Sequence, residues 1–171
     1  KADACRSSDW LATLGALVID LHSLLDGHTA WFGVSYSVLL VVLMVALGGF
    51  TRFGCDELAP SRERDTLVRV LGVLAFLMAW VCLILVYCNL LIGATDHANY
   101  NMVLTFVLPW LGYGFIALTS IVTRQIYPSG YPFGLSVAKS VLYGILDVFS
   151  KASFAMWLGA KALGKEDLIF A

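Results

Sequence analysis

The sequence predicts an all-α integral membrane bundle of five spans. Three observations carry that reading: apolar stretches as long as a bilayer crossing, polar breaks between them, and a shortage of charge. Of 171 residues, 60% are hydrophobic and 13% charged, against roughly 45–50% and about 25% in a soluble domain. A single water-soluble core has no room for that surplus, and the mean hydropathy is +0.83. The net charge of −1 supplies neither a basic field for nucleic acid nor an acidic tail. Cys5, Cys55, Cys82 and Cys88 form no CxxC pair and no metal-like spacing with His22, His28 or His97, so no metal site is expected. Cys82 and Cys88 lie in an apolar run and read as small core residues.

A bilayer core near 30 Å needs about 20 apolar residues of helix. Four stretches meet that length, at roughly 30–50, 67–93, 101–123 and 135–163. A helix over roughly 5–25 precedes them, with a shorter and more polar apolar part from residue 8. Arg52–Thr66 reads as a charged loop containing Pro60, and Gly93–Asn101 as a short polar turn. Thr123–Gly134 is rich in Pro and Gly, with Tyr-Pro-Ser-Gly-Tyr-Pro over Tyr127–Pro132, and Gly164–Ala171 reads as a short amphipathic tail. Lys1–Ser8 has no apolar h-region and no initiating Met, so it is not a signal peptide. It reads as a cut inside a longer chain. The whole of 1–171 is therefore one multi-pass membrane domain.

Few ionisable residues fall within the spans; among them are Asp9 and Asp20 in the first, Asp147 and Lys151 in the last, and Lys139 near one mouth of the last. A charge at membrane depth costs about 2.5–3.5 kcal/mol or more, which makes such residues functional candidates unless they only pair to hold helices together. Arg6, Asp9, Thr13 and Asp20 stand at i, i+3, i+7 and i+14, within a stripe of roughly 60° on a helix. Asp9 and Asp20 are about 16 Å apart along its axis. Asp9 has Arg6 one turn away, whereas Asp20 has apolar neighbours from Ala16 to Leu21. Two carboxyls in unlike surroundings are how a site separates acceptor from donor. Asp147 and Lys151, at i and i+4, share a face in the favourable order for an ion pair. A lysine amine inside an apolar helix is a natural partner for an aldehyde, and a carboxylate beside it would stabilise the protonated imine.

The segment Arg6-Ser-Ser-Asp9-Trp10-Leu-Ala-Thr13, continuing to Asp20, resembles the third helix of the microbial (type 1) rhodopsins of the bacteriorhodopsin kind. Leu142-Tyr143-Gly-Ile-Leu-Asp147-Val-Phe-Ser-Lys151 resembles their seventh helix. The two occur in the family's order with three spans between them, so the chain is similar to the last five helices of a seven-helix rhodopsin, the first two being absent. The resemblance implies retinal as cofactor, joined to Lys151 as a Schiff base. It implies Asp9 as main counterion and proton acceptor, Asp147 as second counterion, Arg6 as a switching cation, Thr13 as hydroxyl partner of Asp9, and Asp20 as internal proton donor. Trp10 and the pair in Trp110-Leu-Gly-Tyr113 would line the pigment.

The chain departs from the family's pattern in places. Leu14 and Gly15 stand where Thr and Pro are frequent, Gly114 follows Tyr113 where a proline is usual, and the family's second aromatic of that helix falls near Ala117. Lys139 stands where a proton-release glutamate would be. The implied orientation puts Arg52, Arg62, Arg64 and Arg124 outside, against the positive-inside rule. The leading expectation is a light-driven outward proton pump, not an enzyme. The alternatives are a light-gated cation channel, a photosensory or degenerate retinal protein signalling through a partner, and a structural subunit without retinal. Expected partners are membrane lipid, a transported proton or cation and, in a homo-oligomer, further copies of the chain; nucleic acid is not among them.

Overall fold

Every regular element among the described residues is a helix, as hydrocarbon surroundings require: a span must satisfy its backbone N–H and C=O groups internally. The structure, a computed structural model, describes residues 2–25, 31–57, 62–95, 97–126 and 132–164. Side chains are described at 13–25, 33–50, 66–68, 70–95, 97–119, 122 and 132–164. The elements are α1 (Ala2–Leu24), α2 (Trp31–Glu57), α3 (Arg62–Gly93), α4 (His97–Ile126) and α5 (Phe133–Ala162), and no strand occurs among the described residues. Four stretches are long and apolar enough to cross a membrane: Gly33–Phe50, Thr66–Gly93, His97–Thr119 and Phe133–Ala162. α1 carries a shorter apolar stretch, Thr13–Leu24. These lie within four residues of the expected bounds, with the length and composition of membrane crossings.

The polar breaks are shorter than the sequence suggested. α2 runs on to Glu57 and α3 begins at Arg62, so most of the expected loop Arg52–Thr66 is helical. Hydropathy locates the end of a membrane crossing, not the end of a hydrogen-bond ladder, and Arg and Glu are good helix formers. Residues 58–61, with Pro60, lie outside the described residues. α4 likewise starts at His97 rather than near Asn101, after a turn in which the Ala94 N–H donates to the Leu91 carbonyl at 3.1 Å. It ends at Ile126, three residues beyond the expected 123. Residues 127–131 and the tail 165–171 lie outside the described residues.

α5 has clear ends. Pro132 precedes it at φ −54°, ψ 139°, and its carbonyl accepts from Leu135 and Ser136 at 3.0 and 3.1 Å. Proline suits this position, because its fixed φ needs no strain and its missing N–H breaks no helical bond. At the other end Gly164 takes φ +60°, with its N–H on the Lys161 carbonyl at 3.1 Å. That left-handed turn is cheap only for glycine, and it stops the helix.

The chain forms two compact units, residues 1–95 and 96–171. In the first, α2 packs against both α1 and α3. Its core draws Val18 and Leu21 from α1, Val41 from α2 and Leu90 from α3, each essentially without exposed surface. Cys82 is buried with them, but Cys88 is exposed, so the expectation of two core cysteines is corrected for the second. Six positions separate them, which on a helix is roughly 240° of rotation. In the second unit α4 packs against α5. Met102, Val103, Phe106, Val107 and Trp110 line the buried side of α4, and Tyr143, Trp157 and Ala160 that of α5. Elsewhere on α5, Ile145, Val148 and Phe149 are each more than half exposed. A large apolar surface turned outward is what lipid, rather than water, tolerates.

Pro109 sits buried inside α4, where it has no N–H for the Thr105 carbonyl; spans tolerate this because neighbouring groups re-satisfy the backbone. Three residues on, Gly112 makes the closest approach to α5: a Cβ there would lie 2.9 Å from Leu146 Cδ1 and 3.0 Å from its Cδ2. Leu146 can swing its terminal methyls away from one added carbon, but less easily from a branched side chain. Gly112→Ala should therefore cost less than about 1 kcal/mol and Gly112→Val roughly 1–3 kcal/mol. Thermal unfolding of the two variants in detergent checks this order, and equal melting temperatures would contradict the close contact.

Candidate functional site

The apolar helix α5 carries an acid and an amine close to its middle. Lys151 Nζ lies 2.9 Å from Asp147 Oδ2, an i, i+4 ion pair. The lysine side chain is 59% exposed and the aspartate 39%, which places the amine beyond the edge of the face packed on α4. Asp147 is held from the other helix as well. Tyr113 on α4 donates its hydroxyl to Asp147 Oδ1 at 3.4 Å, long compared with the usual range of about 2.5–3.0 Å and correspondingly weak. The Ser150 hydroxyl donates to the Asp147 backbone carbonyl at 3.0 Å.

Aromatic contacts position the phenol. Tyr113 and Tyr143 stack at 5.8 Å between centroids with 20° between planes. Lys139 Nζ lies 6.0 Å from the Tyr143 centroid, at the outer limit of a cation–π contact. Trp110, one turn before Tyr113, is buried and packs on Phe106 at 5.2 Å. Of the sequence candidates in this unit, Tyr113, Asp147 and Lys151 are brought into one cluster, and Trp110 flanks it along α4. Tyr143 and Lys139 had been given no part in it, although Lys139, Tyr143, Asp147 and Lys151 recur every four residues. That spacing was the available signal.

The remaining candidates belong to α1. The side chains of Arg6, Asp9 and Trp10 lie outside the described residues, and only their helical backbone is given. Thr13 and Asp20 are exposed. On a regular helix their stripe lies roughly 120° away from buried Val18, Leu21 and Leu25, so it points away from that core. Asp20 is not tied down by its neighbours. Ser23 Oγ donates to its backbone carbonyl at 2.7 Å, while its carboxylate has no hydrogen bond among the described residues.

Sequence reasoning missed a second polar group, built from three helices. His22 Nε2 on α1 lies 2.9 Å from Ser37 Oγ on α2. Asn89 Nδ2 on α3 donates to that oxygen at 2.6 Å and to the Gly33 carbonyl at 2.7 Å. No motif links residues so far apart in sequence, and only the tertiary fold joins them. No group of three metal-binding side chains occurs among the described residues.

No protein-family model, curated protein or solved structure matches this chain. What the geometry offers is a primary amine at membrane depth, a carboxylate that balances its charge, and a phenol near the second carboxylate oxygen. Removing the acid alone would leave an ammonium unpaired there, at a cost of about 2.5–3.5 kcal/mol. Asp147→Ala should accordingly lower the melting temperature of the protein purified without added retinal. The double variant Asp147→Ala/Lys151→Met should recover most of the loss, and a double variant no more stable than the single one would show that the pair does not carry this cost.

Proposed function

We propose that this chain is a retinal-binding photoreceptor membrane protein of the microbial rhodopsin type, acting as a light-driven outward proton pump. The observation that carries the reading is the Lys151–Asp147 pair, 2.9 Å apart and near the middle of an apolar helix long enough to cross a membrane. An exposed amine in such a helix faces lipid at high cost unless a cavity or ligand receives it. Retinal suits that chemistry: an aldehyde condenses with the Lys151 amine with loss of water, and supplies light absorption and photoisomerisation. Lys151 would hold it, with Trp110 and Tyr113 of α4 beside it, and the resemblance adds Trp10 to the pigment's lining.

The protein's own groups account for the proton's path. Asp147 balances the positive charge on the Lys151 nitrogen, and Tyr113 restrains the carboxylate. Asp9 takes the acceptor role that the resemblance gives it, with Arg6 and Thr13 on the same stripe of α1. Asp20, about 16 Å further along the axis, returns a proton from the inner side. Moving one charge against 100 mV requires about 2.3 kcal/mol. Direction therefore depends on acceptor and donor standing at different depths, as Asp9 and Asp20 do along one helix. Retinal, proton transport and the assignment to the rhodopsins rest on these residues and their spacing.

The first test is chemical. Borohydride reduction of protein reconstituted with retinal should place a retinyl mass on Lys151, and Lys151→Ala should abolish the visible absorbance band. A pigment that survives in Lys151→Ala without added amine would sink the assignment. Photocurrents then separate transport modes, since a pump current keeps one sign across voltages and a channel current reverses.

The second test concerns Asp20. In Asp20→Asn, return of the proton to the Lys151 nitrogen after a flash should slow at least tenfold, depend on bulk pH, and recover with azide. Decay that stays fast and independent of pH would remove Asp20 from the donor role and turn the reading towards a channel or a sensor.

A further inference from the structure

The cluster of His22, Ser37 and Asn89 fixes its own proton positions, step by step. A carbonyl only accepts, so the 2.7 Å contact with Gly33 O identifies the Asn89 atom as the amide nitrogen and uses one of its hydrogens. The second hydrogen goes to Ser37 Oγ at 2.6 Å, which makes that oxygen an acceptor there. A serine hydroxyl has one hydrogen of its own. Ser37 is fully buried, and among the described residues its side chain touches one further polar atom, His22 Nε2 at 2.9 Å. If Nε2 carried the ring proton, the Ser37 hydrogen would have no acceptor among the described residues. If Ser37 donates to Nε2, every hydrogen in the cluster is used and the neutral ring carries its proton on Nδ1. That second arrangement leaves one buried polar group unsatisfied instead of two, a difference of about 1–3 kcal/mol.

The remaining group is the Nδ1–H itself. His22 is 2% exposed, and Nδ1 has no hydrogen-bond partner among the described residues. A buried N–H donor of this kind calls for an acceptor, and the position suits a small one. Ser37 lies four residues inside the start of the α2 crossing at Gly33, and Asn89 four residues before the end of the α3 crossing at Gly93. The cluster thus sits about 6 Å inside the membrane, one helical turn, at the end where α1 finishes and α2 begins. Asp20, two residues before His22, lies roughly 200° around α1 and makes no bond to the cluster.

We propose that His22, Ser37 and Asn89 form a binding site for a single water molecule, which accepts the hydrogen bond of the His22 Nδ1–H. Asn89 and Ser37 set the tautomer, and the tautomer sets the ligand: a hydrogen-bond acceptor the size of water. The water completes its remaining bonds towards the aqueous end one turn away, so the imidazole exchanges its Nδ1 proton with solvent. This inference does not depend on Lys151 or on retinal.

The test uses the full chain in lipid, ¹⁵N-labelled at histidine, carrying His28→Gln and His97→Gln so that His22 alone reports. At about pH 8.5, where free imidazole is neutral, solid-state NMR should show one tautomer, protonated at Nδ1. Magnetisation should pass from water to that proton within milliseconds. A ring protonated at Nε2 overturns the tautomer assignment. An Nδ1–H that receives nothing from water overturns the water site and indicates a protein acceptor in its place. Ser37→Ala removes the donor to Nε2 and should yield a mixture of tautomers; a single Nδ1–H form in that variant would also overturn the role given to Ser37.

Discussion

Hydrocarbon surroundings impose one demand on which the rest of this protein depends: no backbone or side-chain polar group can look to solvent for a partner. Runs rich in Val and Leu, which in water would serve equally well as strands, become helices because a helix satisfies its own backbone. The same demand explains why charge is scarce across Gly33–Phe50, Thr66–Gly93 and His97–Thr119, and why the acid near the middle of α5 is paired with an amine. It also reverses the usual relation between burial and polarity. Ile145, Val148 and Phe149 turn outward, while His22 and Ser37 are enclosed.

The two units answer that demand differently. In the first, neutral groups from three helices are hydrogen-bonded inside the core, where burial costs a few kcal/mol at most once partners are found. In the second, full charges stand at the rim of a two-helix contact. At the rim the pair keeps its mutual contact, and Lys151 remains open to whatever occupies the space beside α5. The Tyr113–Tyr143 stack ties that rim to α4, so Asp147 is held from two helices although its amine partner is held from one.

Both candidate chemical stripes therefore avoid their own unit's packing face. On α1 the Thr13 and Asp20 side lies roughly 120° from the side of Val18, Leu21 and Leu25; on α5, Lys151 lies beyond the edge that Tyr143 and Trp157 pack. Side chains that stabilise a core are locked into one rotamer and one partner. Side chains that must exchange protons or hold a ligand need a free approach, and placing them off the packing face lets packing and chemistry be satisfied on different sides of the same helix.

The membrane class, the five helices and their order were legible in the sequence, because hydropathy over a span-length window and helical periodicity are local properties. The i, i+4 pairing of Asp147 with Lys151 was legible for the same reason: a helix brings those positions together without help from any other element. Helix ends were not, since Arg52–Glu57 and Arg62–Thr66 are polar enough to leave the membrane yet remain helical. Nor was the inequality between Cys82 and Cys88, which depends on where a neighbouring helix lies. Only the tertiary structure decided that Tyr113 reaches Asp147 through a tyrosine stack, and that His22, Ser37 and Asn89 meet. Those residues are separated by 15 and 52 positions, and over such distances no local preference acts. Their meeting is set by how three helices pack, and the hydrogen bonds follow because polar groups enclosed side by side in an apolar core are one another's nearest partners.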